Sequence, residues 1–84
     1  MIQIYFQDLK FHPNGSILAS AASDGSVKFW DLLEEGKQAT LTKAHNAKIR
    51  SINFSCDGNL LVSAADDKQI KIWSTIDRRL KGQY

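Results

Sequence analysis

The sequence is poor in the residues that staple small domains together. Its one cysteine, Cys56, cannot form an internal disulfide, and no CxxC pair or Cys/His cluster stands ready for zinc. That usage predicts a reducing, intracellular compartment. Apolar residues never run to the roughly 18 needed to cross a bilayer. The opening "MIQIYFQDLKF" lacks a basic leader and carries Asp8, which argues against a secretory signal. Charge of one sign is scarce as well. Eleven Lys and Arg against nine Asp and Glu leave a formal net charge of +2, too little to imply nucleic acid. No phosphate loop, dinucleotide fingerprint or metal-ligand spacing is present, so neither cofactor nor metal is expected.

What is present is a globular composition, 43% hydrophobic and 24% charged, in 84 residues that allow at most one small domain. The stretch "SDGSVKFWD", Ser23 to Asp31, returns as "DDKQIKIWS", Asp66 to Ser74. Trp30 and Trp73 stand 43 positions apart, and the same offset aligns "FHPNGSILASAASDGSVKFW" with "FSCDGNLLVSAADDKQIKIW". Phe11/Phe54, Gly15/Gly58, Leu18/Leu61, Ser20/Ser63, Asp24/Asp67, Lys28/Lys71 and Trp30/Trp73 are identical pairs. A catalytic motif is normally written once; a building unit is written repeatedly.

Each unit reads as short strands cut by turns: "FQDLKF", "ILASA" and "VKFW" in the first, "IRSINF", "LLVSA" and "IKIW" in the second. A fourth strand is expected near Ala39–Lys43 and near Arg79–Gln83. "DLLEEGKQ" is short and interrupted by Gly36, so it is expected to be a loop, and no helix is expected. Neither strand face is cleanly polar, because Ile70 and Ile72 alternate with Lys71 and Trp73. A sheet apolar on both faces must be sandwiched, and small four-stranded sheets repeating at about 40 residues are what a β-propeller requires. The expected class is all-β, with units at 1–43 and 44–84.

Ala44-His45, "FSCDG", "LVSAADDKQIKIW" and Trp30-Asp31 resemble the WD40 repeat over nearly the whole chain. Ala44 stands where that repeat usually has Gly, Ser74 takes the place of the Asp after Trp73, and Ile2 occupies the first unit's His position. The resemblance implies two blades of an incomplete propeller, part of a ring of about seven. It also implies a hydrogen-bonded tetrad of His45, Ser63, Asp67 and Trp73, with Ser20, Asp24 and Trp30 as its first-blade version. The physical logic agrees: a carboxylate in a tight turn fixes an imidazole, which meets a hydroxyl that accepts an indole N–H. Ser, His and Asp together also imitate an acyl-transfer triad, but no nucleophile elbow precedes Ser63 and no oxyanion hole is evident. The expectation is therefore structural, and the chain is expected not to be an enzyme.

Two blades would leave broad faces bare, with Phe6, Leu9, Phe11, Phe29 and their second-unit equivalents partly exposed. Further blades, from a longer chain or from other copies, are expected to cover them. By WD40 analogy, Tyr5, Ser23, Asn46, Lys48, Arg50 and Asp66 would read protein partners. "EGKQATLTKAHNAKIRSINFSCDGNLLVSAADDKQIKIWS" further resembles an internal pair of blades of the centriolar "proteome of centriole" WD40 proteins, with Lys-Ala-His in place of Gly-His the most telling part. That likeness implies a scaffold of centriole, basal body or cilium axoneme, in the cytoplasm and cytoskeleton, binding microtubules and centriolar proteins. Arg78, Arg79 and Lys81 would suit acidic tubulin surfaces or serve solubility alone. The alternative is a generic adaptor, such as a ubiquitin-ligase substrate receptor or a signalling scaffold. His12 and Lys68 and Lys71 are expected at solvated positions, Cys56 as inert, and Asn14-Gly15-Ser16 as a turn rather than a glycosylation site.

Overall fold

Asp and Asn punctuate this chain at the points where strands must reverse. A carboxylate or amide oxygen accepts the backbone N–H two residues on at Asn14–Ser16, Asp24–Ser26, Asp57–Asn59, Asp67–Gln69 and Asp77–Arg79, which closes each turn locally. The computed structural model describes residues 5–33, 37–41 and 44–84. Between the turns lie β1 (Phe6–Phe11), β2 (Ile17–Ala22), β3 (Val27–Asp31), β4 (Lys37–Leu41), β5 (Ile49–Phe54), β6 (Leu60–Ala65), β7 (Ile70–Ser74) and β8 (Leu80–Gln83). They form two four-stranded antiparallel sheets in the orders β1-β2-β3-β4 and β5-β6-β7-β8. No helix occurs among the described residues.

The two sheets repeat one another through their first three strands, irregularities included, while β7–β8 alone carries a further register shift between Ile72 and Trp73. Leu18 pairs with Trp30 and Leu61 with Trp73. Each first strand is bulged at the same place, between Phe6 and Asp8 and between Ile49 and Ser51. The bulge keeps Phe6 on the face of Leu9 and Phe11, and Ile49 on the face of Ile52 and Phe54. One fourth strand differs from expectation. β4 begins at Lys37, so Lys37 and Gln38 pair with Asp31 and Trp30 rather than lying in a loop. Asp31, at the other end of that expected loop, closes β3 and is followed by a turn at Leu32 and Leu33; residues 34–36 and the expected strand end at 42–43 lie outside the described residues.

The core is the junction between the sheets. Ala19, Ala21, Val27 and Phe29 from the first meet Ala44, Ile49, Ile52, Leu61 and Trp73 from the second, with Ile17, Phe54 and Ala65 packed at the margin. β5 lies against β1 and β2. Phe6, Leu9 and Phe11 are exposed, at 59%, 54% and 65%. Phe29, however, is 2% exposed, and Ile49 and Ile52 are buried too. The expectation that all these positions would be bare fails because Phe29 lies on the face of its sheet that meets the second sheet, and the two isoleucines lie on the face that meets the first.

Candidate functional site

His45 enters the junction from the segment just before β5, and its ring is wholly buried. Its backbone N–H donates to the Gly25 carbonyl at 3.0 Å, in the β2–β3 turn of the other sheet. Gly25 is required there. Its φ is +88°, and a Cβ would overlap the His45 carbonyl oxygen and come within 3.0 Å of that of Ala47. The first sheet thus seats the segment that carries the second sheet's histidine.

The imidazole bridges two side chains of its own sheet. Nδ1 lies 3.0 and 3.2 Å from the two Asp67 carboxylate oxygens, and Nε2 lies 2.7 Å from Ser63 Oγ. Trp73 Nε1 donates to the same Ser63 Oγ at 3.0 Å. Because a carboxylate only accepts, Nδ1 carries the proton; Ser63 then donates to Nε2 while accepting from the indole. Burial pushes the Asp67 carboxyl up, but hydrogen bonds from His45 and from the Gln69 N–H outweigh it and hold it below the usual range. Lys71 Nζ donates to the Ala44 carbonyl at 2.8 Å and lies 6.0 Å from the centre of the Trp73 ring. It is a partly buried brace on the segment leading into His45, not the solvated lysine expected. Lys68 is exposed.

The first sheet holds part of the same arrangement. Trp30 Nε1 donates to Ser20 Oγ at 3.0 Å, and Asp24 accepts from the N–H and hydroxyl of Ser26 at 3.0 and 2.6 Å. Ile2, at the histidine's place, lies outside the described residues.

The six residues expected to read partners lie at the starts of β1 and β5 and in the β2–β3 and β6–β7 turns. Ser23 N–H donates to the Tyr5 carbonyl at 2.8 Å, and Asp66 N–H to that of Lys48 at 2.9 Å, the same bond in each sheet. Arg50 adds a two-pronged pair with Asp66, at 2.7 and 2.9 Å. The hydrogen bond from Arg50 holds the Asp66 carboxyl below its usual range, and Asp66 raises Arg50 above its own. Asn46 is exposed beside them.

Three further residues cross the junction, two of which, His12 and Arg78, were expected at the surface. His12 Nε2 lies 2.9 Å from the Gly58 carbonyl oxygen, and its ring meets the edge of Phe54 at 5.2 Å between centres. A Cβ on Gly58, whose φ is +78°, would collide with that ring. His12 is therefore no solvated turn residue: its turn abuts the β5–β6 turn. Arg78 lies 5.0 Å from the centre of the Phe29 ring, withdrawn from the basic patch that was read from the sequence. Asp8 accepts the Leu9 N–H with one oxygen and the Ile52 N–H with the other, each at 3.0 Å. The only sequence signal for these three was their departure from the repeat, which has Ser51 and Ser55 opposite Asp8 and His12.

This architecture has known counterparts. Residues 6–31 and 36–74 match the WD40 family, described as "WD domain, G-beta repeat". The chain belongs to the WD40 family. Over its whole length it superposes with a TM-score of 0.90 and 26% identity on the crystal structure of RRP9 WD40 repeats, covering 27% of that chain. U3-55K shares the fold at a TM-score of 0.89 and 24% identity. Curated relatives include Nuclear distribution protein nudF 2 of Talaromyces marneffei, 46% identical over 43 residues that cover 50% of this chain and 10% of the relative. Nuclear distribution protein PAC1 of Yarrowia lipolytica is 43% identical over 47 residues, 56% of this chain and 10% of that one. WD repeat and SOCS box-containing protein 1 of Mus musculus is 38% identical over 50 residues, 58% and 12%. The chain thus spans about a tenth of the curated relatives it matches and about a quarter of the solved propellers. Each sheet is a WD40 blade.

Proposed function

We propose that this chain is a non-enzymatic interaction scaffold, with blades at 1–43 and 44–84 that belong to a ring of about seven. One observation carries the non-enzymatic reading. The Ser63 hydroxyl of the triad-like set is wholly buried and already accepts the Trp73 indole N–H, so no substrate carbonyl can reach it. His45, Ser63, Asp67 and Trp73, like Ser20, Asp24 and Trp30, then serve the fold. Partner reading falls to the exposed end where Tyr5, Ser23, Asn46, Lys48, Arg50 and Asp66 lie, on loops held by rigid sheets.

In its finer form the scaffold is cytoskeletal, in the cytoplasm at centrioles, basal bodies or axonemes, and it contacts microtubules and their associated proteins. The likeness of "KAHNAKIRSINFS" and "DDKQIKIWS" to centriolar WD40 proteins supports this. So does similarity to proteins named for nuclear distribution. With Arg78 held at the blade junction, Arg79 and Lys81 are the exposed basic residues of that stretch available to an acidic surface. The adaptor alternative is favoured by the match to a protein that combines WD repeats with a SOCS box.

Co-sedimentation with taxol-stabilised microtubules separates the two. The cytoskeletal reading expects pelleting that weakens as salt rises and is reduced by Arg79→Glu with Lys81→Glu. Absence of pelleting at low salt would discard it and leave the adaptor.

A further inference from the structure

We propose that Asn14 is a self-modifying site: its side-chain amide closes on the backbone nitrogen of Gly15, expels ammonia, and is hydrolysed to aspartate or isoaspartate. The motif that carries it, Asn14-Gly15-Ser16, forms the turn expected of it and presents that turn to solvent.

The chemistry needs an exposed asparagine and a following nitrogen within reach of its side-chain carbonyl carbon. Glycine suits that second place because it has no β-carbon to stand in the way. Asn14, Asn46, Asn53 and Asn59 are all exposed, but only Asn14 precedes a glycine. Asp24-Gly25 and Asp57-Gly58 offer the same ring closure, and the blade junction shuts both. The space beside Gly25 is filled by the His45 and Ala47 carbonyls, and that beside Gly58 by the His12 ring. Beside Gly15, whose φ is +76°, nothing lies within 4 Å of where a Cβ would stand. That openness belongs to the turn and not to a bare blade face. Asn14 has the second blade beside its own, Asp57 holds the same place with the first blade beside it, and both are exposed.

The turn also prepares the carbonyl. Asn14 Oδ1 accepts the Ser16 N–H at 2.9 Å and the Ser16 hydroxyl at 2.7 Å. Both donors draw electrons from the carbon under attack and hold the oxyanion that forms there. In the step itself, the Gly15 nitrogen bonds to Asn14 Cγ and gives up its proton. The side chain's Cγ–N bond breaks, and ammonia leaves with that proton. Water then opens the cyclic imide at either carbonyl, and no other reactant is needed.

One bond restrains the closure. Gly15 N–H donates to the His12 carbonyl at 2.8 Å, and the nitrogen must leave that bond before it attacks. His12 is itself pinned, since Nδ1 accepts the Asn14 N–H at 3.2 Å and Nε2 donates to the Gly58 carbonyl at 2.9 Å across the junction. A firm junction therefore slows the reaction and a loose one hastens it. The two products differ in turn. Aspartate fits, because Asp57 accepts the Ser55 hydroxyl at 2.6 Å and the Asn59 N–H at 3.0 Å in the equivalent turn. Isoaspartate lengthens the main chain between His12 and Ile17, which are joined by a 2.7 Å bond from N–H to carbonyl. It breaks the turn that holds His12 against the second blade.

Peptide mapping by mass spectrometry tests this after storage of the folded chain at mildly alkaline pH. Labelling by an isoaspartyl methyltransferase identifies the isoaspartate, and far-UV circular dichroism reports the fold. Asn14 is expected to convert about tenfold faster than Asn46, Asn53 or Asn59, since open space and two donors both lower its barrier. Ser16→Ala, which removes one donor to Oδ1, should slow conversion roughly three- to tenfold. His12→Ala, which unpins the turn from Gly58, should speed it by a similar factor while the β signal persists. Asn14 lasting as long as the other three asparagines overturns the proposal. A rate that Ser16→Ala leaves unchanged overturns the assistance given to the carbonyl, and this arm holds even where His12→Ala fails to fold. A rate that folded His12→Ala leaves unchanged overturns the restraint by the junction.

Discussion

Phe6, Leu9 and Phe11 in the first blade and Ile49, Ile52 and Phe54 in the second hold the same places in the same bulged strand. The first three are more than half exposed, whereas Ile49 and Ile52 are sealed. The third strands reverse the pattern: Val27 is sealed and Ile70 is 46% exposed. The residue types hardly differ, so the difference comes from which face has a neighbour. In this fold burial belongs to the junction rather than to the blade, and substitutions should be judged by the junction they touch.

The largest test of that rule is a pair of equivalent leucines. Leu61→Ala hollows the junction at a fully buried position and should cost about 2–5 kcal/mol in chemical denaturation. Leu18→Ala removes the same atoms from the bare side and should cost less than half as much. Equal losses would break the comparison.

Next in size is His45→Ala, which removes a wholly buried ring and strips a partner from both Ser63 and Asp67. Cavity and unsatisfied groups together should cost about 3 kcal/mol, read as a lowered thermal midpoint. An unchanged midpoint would mean that the chain of hydrogen bonds does not hold the blade. Smaller again is Asp8→Ala, about 1–2 kcal/mol, because one carboxylate serves two amides but remains 21% exposed. Ser51→Ala, at the same place in the second blade, should change nothing. A matching loss there would show that the second blade does carry a hook.

How much of this was legible in the sequence follows the same line. Identity between the units placed the strands, the turns and Ser63, Asp67 and Trp73, whose contacts lie within one blade, whereas His45, matched by Ile2 in the first unit, was legible only through the resemblance to the WD40 repeat. The junction was not legible, since its side-chain links described above are made by Asp8, His12 and Arg78, residues the repeat does not share. Gly25 and Gly58 looked like turn residues. Their second duty, clearing space for the His45 carbonyl and the His12 ring, depends on the neighbouring blade, which no pattern within one unit reports. β4 was placed two residues late because "EEGKQ" hides the strand start, and Lys37 and Gln38 carry no apolar alternation.

The smallest effect is in acid, and it probes the second blade alone. Asp67 ionises more readily in the folded chain than its ordinary value, because His45 and the Gln69 N–H outweigh burial. As pH falls below about 4, the unfolded chain takes up that proton first, so this share of stability is present above the ordinary carboxylate range and is lost through the lower folded value. Asp57, held down by the Ser55 hydroxyl, Asp66, held down by Arg50, and Asp77, held down by Ser74, carry the same sign. Asp67→Asn should therefore flatten the acid limb of a stability-against-pH curve only in part, while lowering the plateau at neutral pH. An acid limb unchanged by Asp67→Asn would assign the loss to the three turn carboxylates and take the buried histidine pair out of the acid response.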